Sequence, residues 1–368
     1  MTTTKRGTES RPFWATETKN DLGPDILRFV YKSMMVDEEW SVREPRGFTW
    51  WGHRLRQRVW ADPPEESGGF SIVRLHAETD LLRNVSGADN LYSFLSAMNY
   101  RAKAGTSAFV FNENEDEIRL HSTACIHVQN RSWLEKIFLL TAGIQISYAE
   151  IMADTLAAYL EGSEVNRTTH PGSGIRNEPD SMLEALPGIV APQSSSTSIH
   201  SAKDFRDAAD RLSGLFPVTS GNGAFTAELP LEGPGPGIVY PGVLYDIKSG
   251  REMISSKGSK SARFTASTRK RHLNFGRGLF MSLEIPVSLM IPLEGFIAAA
   301  RLNATEVRES PACHLMGGWL YDYRMRKMTF SACVPAMMYK PGMLVNFVLS
   351  SAARSVWVGR KLDSVIYL

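Results

Sequence analysis

The sequence predicts an α+β protein made by internal duplication, each unit an antiparallel sheet with helices on one face. Three pairs of landmarks predict it. Phe48-Thr49 and Phe264-Thr265 each open a strand-like run, and Asn99 and Asn303 each follow a small-residue apolar stretch. Ser122-Thr123-Ala124-Cys125 is echoed by Ser331-Ala332-Cys333. The pairs keep their order at offsets of 216, 204 and 208 positions, and self-similarity at a nearly fixed spacing is the mark of a repeated structural unit. A chain of 368 residues is long enough for two domains that each bury a core without metal or disulfide staples.

Residues 1–23 are polar and aperiodic and read as a flexible arm, with the first unit at 24–162. Pro24 and Asp25 suit a helix start, followed by Ile26, Leu27, Phe29, Val30 and Met34 at helical spacing. Trp40–Arg43 reads as a short strand, Gly47–Ala61 as a long one, and Phe70–Thr79 as its return across the turn Pro63–Gly69. In that return strand Val73 and Leu75 alternate with Ile72, Arg74 and His76. A helix at Asn90–Tyr100 and a hairpin of Ser107–Phe111 with Ile118–Val128 follow. Ser132 and Glu135 have capping-box spacing before a long helix with Ile137, Leu140, Ile144 and Met152 on its apolar side. Trp51, Leu55, Val59, Ile72 or Val73, Phe111, Leu120, Ile137 and Leu140 are the expected first core.

Residues 163–200, rich in Gly, Pro, Ser and Asn, read as a linker with a short helix near Met182–Leu186. The second unit, 201–368, begins with a helix at Lys203–Leu215. Strands at Arg263–Phe275 and Leu279–Val287, a helix at Leu293–Asn303, a hairpin at Trp319–Cys333 and a final helix at Pro341–Leu362 complete it. A Pro/Gly-rich insertion at about 218–262, with Gly233–Gly237 at its centre, has no counterpart in the first unit.

The element order of a unit is then α-β-β-β-α-β-β-α. It resembles the type III secretion chaperone-like fold shared by the YbjN family of bacterial proteins. The resemblance implies a role in binding other proteins. With two units in one chain, it also implies a fused version of the dimer common in that fold. No residue-level motif accompanies it, so it transfers no functional residue.

Composition narrows the function. With 43% hydrophobic and 22% charged residues the chain has globular composition, and a net charge of +2 is no global signature of nucleic-acid binding. Three cysteines, Cys125, Cys313 and Cys333, make no disulfide framework. The start has no signal-peptide core, and the apolar stretches near Ile137–Ile144 and Ser288–Ala300 fall short of a membrane span. These features predict a cytoplasmic protein.

No phosphate loop, nucleophile elbow, zincin or kinase motif occurs. His121, Cys125 and His127 fit no zinc spacing, and Glu113–Glu117 lacks the ligand spacing of a calcium loop. No metal, cofactor or catalytic residue is expected, and an enzyme with an interdomain site is the least supported reading. Cys125 and Cys333 read as packing residues.

The remaining signal is basic and aromatic. Trp50, Arg54, Arg56, Arg58 and Trp60 share strand parity opposite Trp51, Leu55 and Val59. Arg269, Lys270 and Arg271 lie in a second basic segment without acidic residues. Guanidiniums between indoles suit protein hot spots, stacked bases or phosphates. The expected function is non-enzymatic protein binding of a chaperone-like kind. Nucleic-acid or anionic-ligand binding through the basic sheet faces is the alternative.

Overall fold

The computed structural model describes residues 21–190, 201–231, 261–287, 291–309 and 316–366, apart from single positions 68, 222 and 273. The first unit runs α1 (Gly23–Ser33), β1 (Ser41–Glu44), β2 (Gly47–Trp51), β3 (Arg56–Ala61), β4 (Glu65–Ser67), β5 (Phe70–Arg83), α2 (Leu91–Asn99), β6 (Ala108–Asn112), β7 (Glu117–Ile126) and α3 (Arg131–Tyr159). Strand β8 (Glu164–Val165) and helix α4 (Ser181–Val190) follow. The second unit runs α5 (Ser201–Leu212), β9 (Val218–Gly221), β10 (Ala224–Pro230), β11 (Ser261–Ser267), β12 (Arg271–His272), β13 (Gly276–Pro286), α6 (Pro292–Glu309), β14 (Gly318–Asp322), β15 (Lys327–Pro335) and α7 (Met343–Ile366).

The main strands are ordered β1-β2-β3-β5-β7-β6 in one sheet and β9-β10-β11-β13-β15-β14 in the other, so the two units share one topology. All pairings are antiparallel. Helices α1 and α3 cover one face of the first sheet, and α5 and α7 cover one face of the second. This is the α+β duplication that the landmarks predict.

A pair of asparagines fixes the correspondence between units. Asn99 closes on Phe109, accepting from its N–H at 3.0 Å and donating to its carbonyl at 3.3 Å. Asn303 does the same to Trp319, at 2.8 and 3.0 Å. Both are buried, and each satisfies a backbone donor and acceptor that would otherwise stay unpaired inside the protein. From Phe109 the register crosses Leu120, Thr79, Gln57 and Trp50. From Trp319 it crosses Phe330, Leu283, Phe264 and Ala227.

The asparagine landmarks therefore match, while the other two pairs need correction. Phe264 is the counterpart of Gln57, not of Phe48. Cys333 stands where the first unit has Thr123, two residues before Cys125. The cause of the Phe mismatch is the stretch read as one strand over Gly47–Ala61. It folds as the hairpin β2–β3 around a bend at Gly52–Leu55, so among the described residues each unit has four main strands between its first two helices. Residues 218–230, read as the start of an insertion, are β9 and β10, the counterparts of β1 and β2. Gly233–Gly242 lies outside the described residues.

The cores follow the alternation. Leu55, Val59, Val73, Leu120 and Ile137 are fully or almost fully buried, Leu140 is half-buried, and Ile72 turns to the opposite sheet face with Cys125 and Phe70. The first core has a polar centre. Gln57 accepts from Trp50 Nε1 at 2.8 Å and donates to the Ala142 carbonyl at 2.8 Å, while Gln145 bonds Ala77, Ser107 and Ser122. The second core places Phe264, Leu283 and Ala332 at the positions of Gln57, Thr79 and Ser122. It holds a buried ion pair instead, Arg354 Nε to Glu306 Oε1 at 2.8 Å, with Trp319 Nε1 donating to Glu306 Oε2 at 2.6 Å.

Helix α3 begins at Arg131 with Asn130 before it, so Ser132 is already inside the helix; Glu135 pairs with Arg131 at 3.0 Å rather than closing a capping box. By length and composition α3 is apolar enough to cross a membrane, but 72% of its apolar window is buried in this protein. The stretch read as a linker also has structure: α4 packs on α3, with Leu183 buried.

The units meet through α2 and α6, which pack on each other and on the edge strands β6 and β14. Ser96 Oγ accepts from the Tyr321 N–H at 2.9 Å and donates to its carbonyl at 3.3 Å. Cys333 N–H donates to the Gly105 carbonyl at 3.0 Å, and His272 Nε2 to that of Ala102 at 3.0 Å. Gly318 sits so close to Asn99 that a Cβ would overlap its side-chain amide.

Candidate functional site

The predicted basic face is not one face. Trp50 is fully buried on the helix side. Arg54 lies in the bend and turns to α3, meeting Glu150 at 3.3 Å and Asp154 at 2.6 Å. Arg56 pairs with buried Asp80 at 2.7 Å. Arg58 meets Glu44 at 3.5 Å and lies over the Trp60 indole, 5.0 Å from its centroid. The parity count fails because the bend at Gly52–Leu55 interrupts the strand, and each of the three arginines has an acidic partner within its own unit. Arg269 and Lys270 are exposed in the turn after β11, and Arg271 is exposed in β12.

Both described cysteines are buried, and burial pushes both thiols up, that of Cys333 to about 12. They are unreactive packing groups at neutral pH.

A different constellation occupies the outer face of the first sheet, opposite the helices. On β5 the residues His76, Glu78 and Asp80 point outward, and on the neighbouring strand β7 so do Arg119 and His121; the register sets His121 beside Glu78 and Arg119 beside Asp80. His76 Nε2 meets Asp62 Oδ2 at 3.0 Å, and His76 Nδ1 meets His121 Nε2 at 3.2 Å. His121 Nδ1 meets Glu78 Oε2 at 3.2 Å. Arg119 continues the chain to Glu78 at 3.2 Å, Asp80 at 3.4 Å and Glu117 at 2.6 Å, and it also pairs with Glu115. The Trp60 indole stacks flat on His76, with ring centres 4.6 Å apart, and shields it from solvent.

Burial tunes these groups. It pushes Glu78 up, but the bond from His121, its charge and the charges of Arg119 and Arg58 outweigh it and hold Glu78 at about 2. Burial pushes His76 down, against the pull of Asp62. Burial also raises Asp80, against Arg56 and Arg119. Asp62 is lowered: burial opposes the shift, but the bond from His76 prevails.

Of the five outward residues His76, Glu78, Asp80, Arg119 and His121, only Asp80 has an ionisable counterpart in the second unit, Glu284, which pairs with Lys327 at 2.7 Å. The register places Phe280, Ser282 and Ser331 where the first unit has His76, Glu78 and His121, and Thr329 where it has Arg119. The same sheet position that supports ionised groups in one unit supports Phe and small hydroxyls in the other. The fold itself therefore does not require the constellation.

The constellation also faces open space. Glu78, Arg119 and His121 form the floor of a 600 Å³ cleft whose opposite wall is α6, with Ala304, Arg301 and Arg308. Helix α6 has 18 residues where its counterpart α2 has 9, and its additional C-terminal turns extend the far wall from Ala304 to Arg308. The cleft is built from both units and combines the carboxylates of Glu78 and Glu113 with Arg119 on the floor and Arg301 and Arg308 on the wall. Comparison with family models, curated proteins and solved structures finds no match to this chain.

The outward alternation His76-x-Glu78-x-Asp80 was present in the sequence, as was Arg119-x-His121. Ionisable residues at period two on two strands of one sheet mark a charged face. What the sequence did not show is that the two strands are neighbours in this register.

Proposed function

We propose that this protein binds a small polar ligand in the cleft between its two units. The ligand would carry an anionic group toward Arg301 and Arg308 and hydrogen-bond donors toward Glu78 and Glu113. The observation that carries the reading is that the cleft floor is made of ionisable groups found in one repeat and replaced in the other. Pockets of roughly 300–1,000 Å³ with a few convergent polar groups are the usual form of small-molecule sites. The test is a thermal-shift screen of small anionic and zwitterionic metabolites against the full chain and Ala304→Trp, which fills the cleft. A true ligand at 100 times its Kd adds about 2.7 kcal/mol of stability and loses that effect in the variant. Ligands that stabilise both proteins equally would refute the cleft as the site.

The protein-binding function expected from the sequence attaches to a different surface. Tyr100, Ile291, Leu293, Tyr323 and Met325 are exposed large apolar residues, and Phe296 links Tyr323 to α6 at a ring distance of 6.4 Å. Tyr323→Ser with Met325→Ser should abolish capture of a protein partner at high salt. Capture unchanged by both substitutions would remove this second reading.

A further inference from the structure

The hydrogen bonds on the cleft floor fix a proton count. Asp62, His76, His121 and Glu78 make three consecutive contacts of 3.0, 3.2 and 3.2 Å. An ionised carboxylate only accepts, so His76 donates Nε2–H to Asp62 and His121 donates Nδ1–H to Glu78. With those two protons alone, Nδ1 of His76 and Nε2 of His121 would face each other as two lone pairs. Their 3.2 Å contact requires a third proton. Two neutral imidazoles bring only two, so the complete chain holds one excess proton and a net charge of −1.

The two ends of the chain open to different places. The Asp62 side chain is 35% exposed, and the two imidazoles are 5% and 3% exposed. Glu78 and His121 line the cleft. The charged groups facing the chain are Arg74 beside Asp62 at 4.0 Å, Arg119 with Asp80 and Glu117 beside Glu78, and Arg58 acting on Glu78. Arg301 and Arg308 face it from α6 across the cleft.

We propose that Asp62, His76, His121 and Glu78 form a proton-donor site that holds one excess proton on its ring pair and delivers a proton at Glu78 to a ligand in the cleft. In delivery the His121 Nδ1–H bond breaks, an O–H bond forms on Glu78, and that proton passes to a basic atom of the ligand. The chain's charge falls from −1 to −2. In refilling, Glu78 gains a proton from water entering the cleft and returns it to His121 Nδ1. The proton between the rings and the Nε2–H on Asp62 stay in place, and the charge returns to −1. Only N–H and O–H bonds change, so no oxidant or reductant takes part. The low position of Glu78 keeps the excess proton on the rings rather than on that carboxylate, and burial of His76, which pushes that ring down, makes the proton easier to release. The delivery step rests on the cleft reading, whereas the proton count does not.

The experiment is an NMR pH titration of the full chain labelled with 15N-histidine, as wild type, His76→Phe, His121→Ser and Glu78→Gln. The first two variants carry the second repeat's own residues. In wild type, Nε2 of His76 and Nδ1 of His121 should stay protonated through neutral pH while the facing nitrogens titrate as one coupled pair. His76→Phe should move the His121 midpoint by at least about one pH unit, the scale at which two sites titrate together. If that variant does not fold, Glu78→Gln must shift the wild-type pair in the same readout. Opposite tautomers, or a His121 midpoint indifferent to both substitutions, would overturn the proposal. Coupled rings without any ligand in the thermal-shift screen would leave the proton count standing and defeat the cleft reading. A bound ligand with uncoupled rings would do the reverse.

Discussion

Alanine substitution of the three arginines of the β2–β3 region, taken singly, separates a structural from a solvated basic face. Arg58 and Glu44 are 3.5 Å apart with side chains 48% and 38% exposed, and such a pair contributes about 0–1 kcal/mol. Arg56 is different. Its partner Asp80 is 3% exposed, and the contact is 2.7 Å. Removing Arg56 leaves a buried carboxylate with Arg119 at 3.4 Å as its remaining ion-pair partner. A hydrogen bond to a charged group contributes about 1.5–3 kcal/mol, so Arg56→Ala should cost about 2–3 kcal/mol. Arg54→Ala removes contacts to Glu150 and Asp154, but Glu150 keeps the Leu55 N–H at 2.7 Å. Its cost should be about 1–2 kcal/mol. Urea unfolding with linear extrapolation measures all three, and 0.5 M salt should shrink the Arg58 effect while leaving that of Arg56. Equal costs for Arg56 and Arg58, or three costs below about 0.5 kcal/mol, would refute this reasoning and restore the solvated face.

Three further outcomes are expected. Arg354→Met should cost about 3–5 kcal/mol because it strands buried Glu306, while Arg354→Met with Glu306→Met should cost less than the sum of the singles; additive costs in urea unfolding would refute a coupled pair. Glu78 sits at about 2 in the folded chain against an ordinary 4.5. Its stabilisation is therefore full above pH 4.5 and lost as pH falls toward 2, and Glu78→Gln should flatten acid unfolding over that window; an unchanged acid limb would refute the assignment. Cys333, with its thiol at about 12, should resist a thiol reagent at pH 8 until urea unfolds the chain, and rapid labelling of the native protein would contradict its burial.

The fold class was legible because strand alternation is local: Leu55, Val59, Val73 and Leu120 announce their faces within a few neighbours. The bend at Gly52–Leu55 was not. It is held by Glu150, which accepts from the Leu55 N–H across 95 positions of sequence, and a parity count run through it assigns Trp50 to the wrong side. The same bend concealed a strand and displaced the phenylalanine landmark, whereas the cysteines are simply two positions out of step on β7 and β15. The asparagine pair held because its role, closing on one backbone unit, depends on a short segment that both repeats keep. The histidine pair was hidden for a topological reason. His76 and His121 are 45 positions apart and meet only because β5 pairs with β7, past β6 and α2.

Joining both units in one polypeptide has a consequence for the cleft. Its floor comes from one repeat and its wall from the other, so in a pair of separate chains it would assemble only above a threshold concentration. Here assembly is intramolecular, and dilution cannot take it apart. The covalent link also frees the two copies from identity. A symmetric pair would have to place a histidine in both sheets or in neither. This chain places it once, for one site per molecule, and leaves the other sheet to Phe280, Ser282 and Ser331.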